Sequence, residues 1–181
     1  GAKVMHSRSI EVAKKYNIPL HVRSSFSDKE GTIIMSTRSS IEEPVVRGIA
    51  LTEKEVKITI ADVPDKPGMA AMMFDELSRV NANIDMIVQN VSHDRHTDIS
   101  FTVEKGDLRK AYDTAKDVAK RIGARDVLCD EDIAKVSIVG IGMRSHSGVA
   151  STCFSVLAKN KINIEMISTS EISISCVIKK Q

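Results

Sequence analysis

Tryptophan is absent from this 181-residue chain, and two Tyr and four Phe supply its whole aromatic content, 3%. So few ring platforms argue against single-stranded nucleic-acid binding by base stacking. Any core must be built from aliphatic side chains and from the eight Met. An excess of one charge is also lacking: 26 Lys and Arg stand against 24 Asp and Glu, a formal net charge of +2, with no long one-sign block. A phosphate-backbone footprint is therefore not expected, and no nucleic-acid partner with it. No apolar run approaches the ~18 residues of a membrane span. The three cysteines, Cys129, Cys153 and Cys176, are odd in number and scattered, and no signal peptide opens the sequence. Both features point to reduced thiols and a cytoplasmic setting. Hydrophobic residues at 42% and charged residues at 28% are globular proportions, and they exclude a disordered chain. The length allows one large domain or two small ones. The first residue is Gly rather than Met, so the sequence reads as a fragment or a processed product.

What is present is an internal repeat. Residues 56–90 align without a gap to residues 136–170, and ten of the 35 positions are identical: Val56, Ile58, Gly68, Ala70, Phe74, Leu77, Asn83, Ile84, Met86 and Ile87 each recur 80 residues later. Ordinary composition would give roughly two matches. The first copy then carries seven extra residues (91–97), after which DISFTV (98–103) matches EISISC (171–176). Two copies are too few for a solenoid.

Each copy reads strand, helix, strand, strand. Val56, Ile58 and Ile60 alternate with polar residues, as a half-buried strand requires. Pro67-Gly68 opens a helix whose Ala70, Met73, Phe74 and Leu77 form one apolar stripe. Ala150, Cys153, Phe154 and Leu157 repeat that stripe, which assigns Cys153 to a core. The first copy continues into a second helix, with Asp107 as N-cap and Gly123 as terminator, and a last strand over 126–130. The order βαββαβ is the ferredoxin-like split unit, an α+β fold with one sheet face under two helices and the other left for a partner. The second copy ends before a second helix, so a truncated parent and exposed apolar surface are expected. Residues 1–40 lie outside the repeat: a short helix near 9–16, strands near 18–23 and 31–35, and a linker, STRSS, over 36–40. Residues 45–51 form a further strand candidate.

Several residues invite a functional reading. The loop Asp62–Gly68 (DVPDKPG) sets backbone N–H groups at a helix N-terminus, where the positive end of the dipole suits the α-carboxylate of a free amino acid. Gly68 permits close backbone approach, and Asp65 offers a counter-charge to an ammonium. The same residues also read as an ordinary strand-to-helix turn with Pro67 in its first turn. Gln89-Asn90 can donate and accept at once, which suits a zwitterion or merely a solvated strand end. Asn83-Ile84 and Asn163-Ile164 open the matching strands and either close a site from a facing domain or serve as left-handed turns. Ser145, Gly148 and Ala150 outline a second pocket faced by Asn83 and Ile84, but Ser145 stands where Asp65 supplies charge. Gly140-Ile141-Gly142 lacks a third glycine and reads as a turn rather than a phosphate loop. His93 and His96 sit in a polar hairpin and are not expected to bind metal. Met69, Met72, Met73 and Met86 fall at core spacings. No catalytic or metal-ligating set emerges.

The stretch GAKVMHSRSIEVAKKYNIPLHVRSSF resembles the end of the catalytic domain of aspartokinases, which have the amino-acid-kinase fold. DKPGMAA, NIDMIVQNVS, TDISFTV and NIEMISTSEISISCVI resemble the paired ACT domains that follow it there and in the family's separate regulatory β subunit. One departure is Ser7, where the family usually has Pro. Another is the absence of the N-terminal motif that grips ATP, so ATP and Mg belong to the parent catalytic domain and no cofactor is expected in this chain.

The resemblance implies that the first ACT domain (56–131) is inserted in the second (41–55 plus 132–181), after a kinase-domain tail and linker (1–40). It implies feedback inhibition by threonine, lysine or both, with Asp65, Gly68, Ala70 and Gln89 meeting the effector and Asn163 and Ile164 closing over it. It implies a homodimer through ACT domains or association with a catalytic subunit. This chain alone is expected to be non-catalytic. A stand-alone ACT-type sensor with no kinase attached is the alternative, against which the kinase-like segment 1–35 counts.

Overall fold

Short-period and helical-period patterns separate cleanly along the chain. The computed structural model describes residues 4–35, 45–90, 94–140 and 148–180. The linker 36–40, and with it Ser145, His93, Ile141 and Gly142, lies outside the described residues. Two compact units divide the chain, Gly1–Pro44 and Val45–Gln181.

The first unit holds helix α1 (Ser7–Lys15) and a two-stranded antiparallel ribbon of β1 (Leu20–Val22) and β2 (Thr32–Ile34). His6 takes the N-cap position of α1, and its ring accepts a hydrogen bond from the Arg8 N–H. Gly31 sits at φ +81°, with Val22 backbone in the space a Cβ would need, so only glycine fits that turn.

The second unit contains two four-stranded antiparallel sheets. One is ordered β5-β6-β4-β7, from β4 (Glu55–Pro64), β5 (Ile84–Gln89), β6 (His96–Glu104) and β7 (Asp126–Asp130). Helices α2 (Met69–Arg79) and α3 (Leu108–Ile122) cover one of its faces. The other sheet is ordered β3-β8-β10-β9, from β3 (Val46–Thr52), β8 (Ile133–Gly140), β9 (Ile164–Thr169) and β10 (Ser173–Lys179). Helix α4 (Val149–Lys159) packs on it. The orders correspond strand for strand, with β3 standing where β7 stands. A strand that precedes the first repeat thus completes the sheet of the second.

The first core gathers Val56, Ile58, Ile60, Met73, Leu77, Phe101 and Val118, all fully buried, around an edge-to-face pair of Phe74 and Phe101 with centroids 5.8 Å apart. The second is smaller and includes Cys153 and Cys176. Cys153 thus takes the core place its helix spacing assigns. Burial beside Cys153 pushes the Cys176 thiol up to about 12. Met73 and Met86 are core residues as their spacing implies, but Met72 is 44% exposed on the outer side of α2.

The strand ladders revise the repeat alignment. Helices α2 and α4 and strands β5 and β9 correspond at an offset of 80 residues. Ile84 pairs Val103, which pairs Val56, whereas Ile164 pairs Ile178, which pairs Ala134. The β4 and β8 strands therefore correspond at an offset of 78, and β6 and β10 at 75. Lys57 is the counterpart of Lys135, and five extra residues, not seven, separate β5 from β6. The corrected frame aligns two hydroxyl pairs, Thr59 with Ser100 at 2.9 Å and Ser137 with Ser175 at 2.8 Å. The gapless alignment misses this because Val and Ile recur every second residue on each strand, so a two-residue slip still scores identities.

The helix-free faces, expected to await partners, meet each other within one chain. Met86, Ile133, Met166 and Val177 form a buried cluster between the sheets. Ion pairs rim it: Lys57 with Glu165, Lys135 with Glu55 and Asp85, and Lys179 with Asp130. The two repeats satisfy each other's open faces.

Candidate functional site

Topology carries the DKPG turn and Gln89 to one end of the first sheet. Strands β4 and β5 both run antiparallel to β6, so their C-terminal ends flank the start of that strand: Pro64 pairs His96, and Gln89 pairs Ile99. The Asp65 N–H donates to the Arg95 carbonyl at 2.8 Å, which fixes the turn on β6. Asp62 takes φ +61° at the bulge between Ile60 and Val63, and its N–H donates to the Asp98 carboxylate at 2.9 Å. Helix α2 begins at Met69, two residues later than Pro67 at the first helical position would place it, with Gly68 as N-cap at φ +95° and no side-chain cap. That end of the helix lies open beside Asp65, whose exposed carboxylate has no hydrogen bond or ion pair among the described residues. Ala70 is half-buried in the first turn, and Gln89 is exposed. The free N–H groups suit an anion, Asp65 suits a cation and the Gln89 amide can donate and accept, a set complementary to the carboxylate and ammonium of a free amino acid.

Asn163 and Ile164 do not join this group within one chain. They open β9, and the next residue, Glu165, is tied to Lys57 near the start of β4. Lys57 and Pro64 are seven residues apart on β4, about 23 Å at roughly 3.3 Å per residue. Asn83 and Ile84 likewise open β5, at the end of the sheet opposite Asp65.

The two loops are not equivalent. Gly148 caps α4 at φ −97°, in the right-handed region, where Gly68 is left-handed. The Thr152 hydroxyl donates to the Gly148 carbonyl at 2.9 Å. Ala150 is half-buried, as Ala70 is. The Asn83 loop has its own anchor. Asp107, read from the sequence as the cap of α3, makes no cap hydrogen bond. Its carboxylate instead accepts from the Asn83 N–H at 3.0 Å and pairs with Lys110 at 2.9 Å. Those contacts, the Asn83 N–H first, hold the Asp107 carboxyl below its ordinary range.

Helix α3 covers the β4 and β7 side of the first sheet, and the matching side of the second is open. A groove of about 740 Å³ lies there between Ile49, Val136 and Ile138 on the sheet and Val149, Cys153 and Val156 on α4. Ile49 is 70% and Leu51 58% exposed, the apolar surface that a one-helix sheet was expected to show. Gly140 ends β8 and is buried. The His96 ring bonds the Asp94 carbonyl at 2.9 Å, and the described residues contain no cluster of His, Cys, Asp or Glu able to hold a metal. No helix among them is long and apolar enough to cross a membrane.

Comparison with known proteins gives this geometry a family. The family model of the ACT domain matches residues 56–117 and 136–181. An aspartokinase from Pseudomonas aeruginosa is 50% identical over 183 residues, covering 100% of this chain and 44% of the relative, so the chain spans less than half the length of that protein. The ligand-free regulatory subunit of aspartate kinase from Thermus thermophilus is 38% identical with a TM-score of 0.72, covering 75% of this chain and 89% of that one. E. coli aspartokinase III in complex with lysine and aspartate shares the fold, at 24% identity and a TM-score of 0.73 over 99% of this chain and 39% of that one. A chain with two sheets of matching strand order, matched by the ACT model in both and by an aspartate kinase regulatory subunit across most of that subunit's length, belongs to the aspartokinase family as a regulatory region built from ACT domains.

Proposed function

We propose that this region senses threonine or lysine and inhibits an aspartate kinase, whose catalytic part, with its own ATP and Mg, converts aspartate to aspartyl phosphate. That reaction is the first step toward lysine, threonine and methionine, so inhibition by an end product is feedback control. The chain is non-catalytic by itself and cytoplasmic, a setting that its three unpaired cysteines favour. Its domains are the kinase tail and linker (1–40), ACT domain 1 (56–131) and ACT domain 2 (41–55 plus 132–181).

The observation that carries the reading is the uncapped, left-handed start of α2 at Gly68, with Gln89 and the Asp65 carboxylate, unengaged among the described residues, at the same end of the sheet. Effector carboxylate meets the helix N-terminus, effector ammonium meets Asp65, and Gln89 bridges. Asn163 and Ile164 lie at the far end in the same chain, so a second copy supplies them and the effector is buried at a subunit junction. Inhibition then needs two states, with the effector preferring the one in which that junction is closed.

A melting series tests this. An effector at 100 times its dissociation constant adds about 2.7 kcal/mol to the native state, several degrees for a domain of this size. Threonine or lysine at millimolar concentration is expected to raise the melting temperature. A melt unmoved by both contradicts the proposal.

A further inference from the structure

Two edge strands of the second unit, β5 and β9, bulge just after their Asn-Ile starts. The pairing of β5 with β6 slips between Ile84 and Ile87, leaving Asp85 and Met86 opposite Thr102, whose buried hydroxyl accepts the Met86 N–H at 3.2 Å. The pairing of β9 with β10 slips between Val177 and Ile178, leaving Glu165 as the extra residue. A bulge re-aims the side chain it releases, and both bulges release an acid. Asp85 and Glu165 are counterparts in the repeat, and each reaches across to the other sheet.

The cations that receive them are counterparts as well. Glu165 pairs with Lys57 on β4, and Asp85 pairs with Lys135 on β8. The exchange is reciprocal: the first repeat's lysine holds the second repeat's bulge, and the second repeat's lysine holds the first's. Lys57 and Glu165 have side chains only 19% and 14% exposed, so their contact is partly withdrawn from screening, whereas Lys135 at 13% meets an Asp85 that is 52% exposed. Other charged groups face both lysines. Asp130 lies 3.8 Å from Lys57 on β7, Glu55 pairs with Lys135, and Lys179 lies 3.8 Å from Glu165. Glu55 also has one buried carboxylate oxygen with no partner among the described residues, and its other oxygen pairs with Lys135.

We infer that Lys57 and Lys135 are positioning residues for the loops that open β9 and β5: Lys57 holds Asn163-Ile164 through Glu165, and Lys135 holds Asn83-Ile84 through Asp85. The inference rests on the proposed role of Asn163 and Ile164 in closing over an amino acid. It adds that each such loop is set by the opposite repeat, so closure at one is felt in the other. The arms are unequal. Asn83 is also anchored by Asp107, whereas among the described residues Glu165 is the one acid that ties the start of β9, so Lys57 controls the more responsive loop.

Hydrogen exchange on the 181-residue chain, without ligand, tests the mechanical claim. Lys57→Met is expected to speed amide exchange at 163–166 at least tenfold while leaving 64–70 unchanged. Lys57→Arg should restore protection, and Glu165→Gln should reproduce the loss with no further loss in the double variant. Lys135→Met should act on 83–86, and less strongly. Threonine and lysine titrations then read the functional side, with the affinity of whichever binds falling about tenfold in Lys57→Met. Unchanged exchange at 163–166, or additive losses in the double variant, would overturn the inference. If neither amino acid binds the unsubstituted chain, the sensing proposal fails, and the exchange pattern alone decides the coupling.

Discussion

The Asp107 carboxylate accepts the backbone N–H of Asn83 at 3.0 Å, across the loop that joins α2 to β5. An acid placed to cap its own helix instead holds the turn of another element. Its contacts favour the ionised form, so its folded pKa is depressed below the ordinary 3.8. A depressed pKa contributes stability above the unfolded value, and that contribution is lost as pH falls through the folded one. The melting temperature of Asp107→Ala should therefore trail the parent near neutrality and converge with it in strong acid. Melts of both across an acid pH series check this.

Gly68 and Gly148 align in the repeat yet differ in backbone, φ +95° against −97°. A Cβ at either position would meet no atom of the described residues within 4 Å, so space is not the issue. Gly68→Ala should cost about 1–2 kcal/mol from left-handed strain, whereas Gly148→Ala should be close to neutral. Urea denaturation of the two variants separates them.

Phe101 is fully buried and edge-on to Phe74. Its second-repeat counterpart is Cys176, in a smaller core. Phe101→Ala should cost about 3–5 kcal/mol, and Cys176→Ala distinctly less because a smaller side chain is removed. Chemical denaturation measures both.

Most of this architecture is legible in the residues. Alternation at Val56, Ile58 and Ile60 and the stripe Met73, Phe74 and Leu77 predict the observed strand and helix, because burial on one face is a local pattern. The last strand of the first repeat falls at Asp126–Asp130 as expected. The true frame of β8 against β4 is not legible. A slip of two residues keeps every side chain on the same face, and only the ladders and the Thr59–Ser100 and Ser137–Ser175 pairs reveal it. The Lys57–Glu165 and Lys135–Asp85 exchange is hidden for a related reason. It depends on how two sheets face each other, which no single-strand pattern encodes. The separation of Asp65 from Asn163 follows from strand direction, visible only once β9 is anchored at the start of β4.

That separation makes a prediction about assembly. One chain holds Asp65 and Asn163 at opposite ends, and its sheet edges β5 and β9 have no further strand partner among the described residues. Exposed edges are ready templates for another copy. Sedimentation should return at least twice the 19.8 kDa of one chain, and a monomer at high concentration would contradict the shared site.

The most direct measurement of the central claim is a calorimetric titration of threonine and of lysine into the unsubstituted chain, Asp65→Ala, Gln89→Ala and Ser145→Ala. In the proposed binding mode Asp65 gives the effector ammonium a charge-assisted contact, worth roughly 1.5–3 kcal/mol, or on the order of 10- to 100-fold in affinity. The account predicts saturable binding by at least one of the two amino acids, with losses ranked Asp65, then Gln89, then Ser145. Unaltered affinity in a folded Asp65→Ala variant would contradict it.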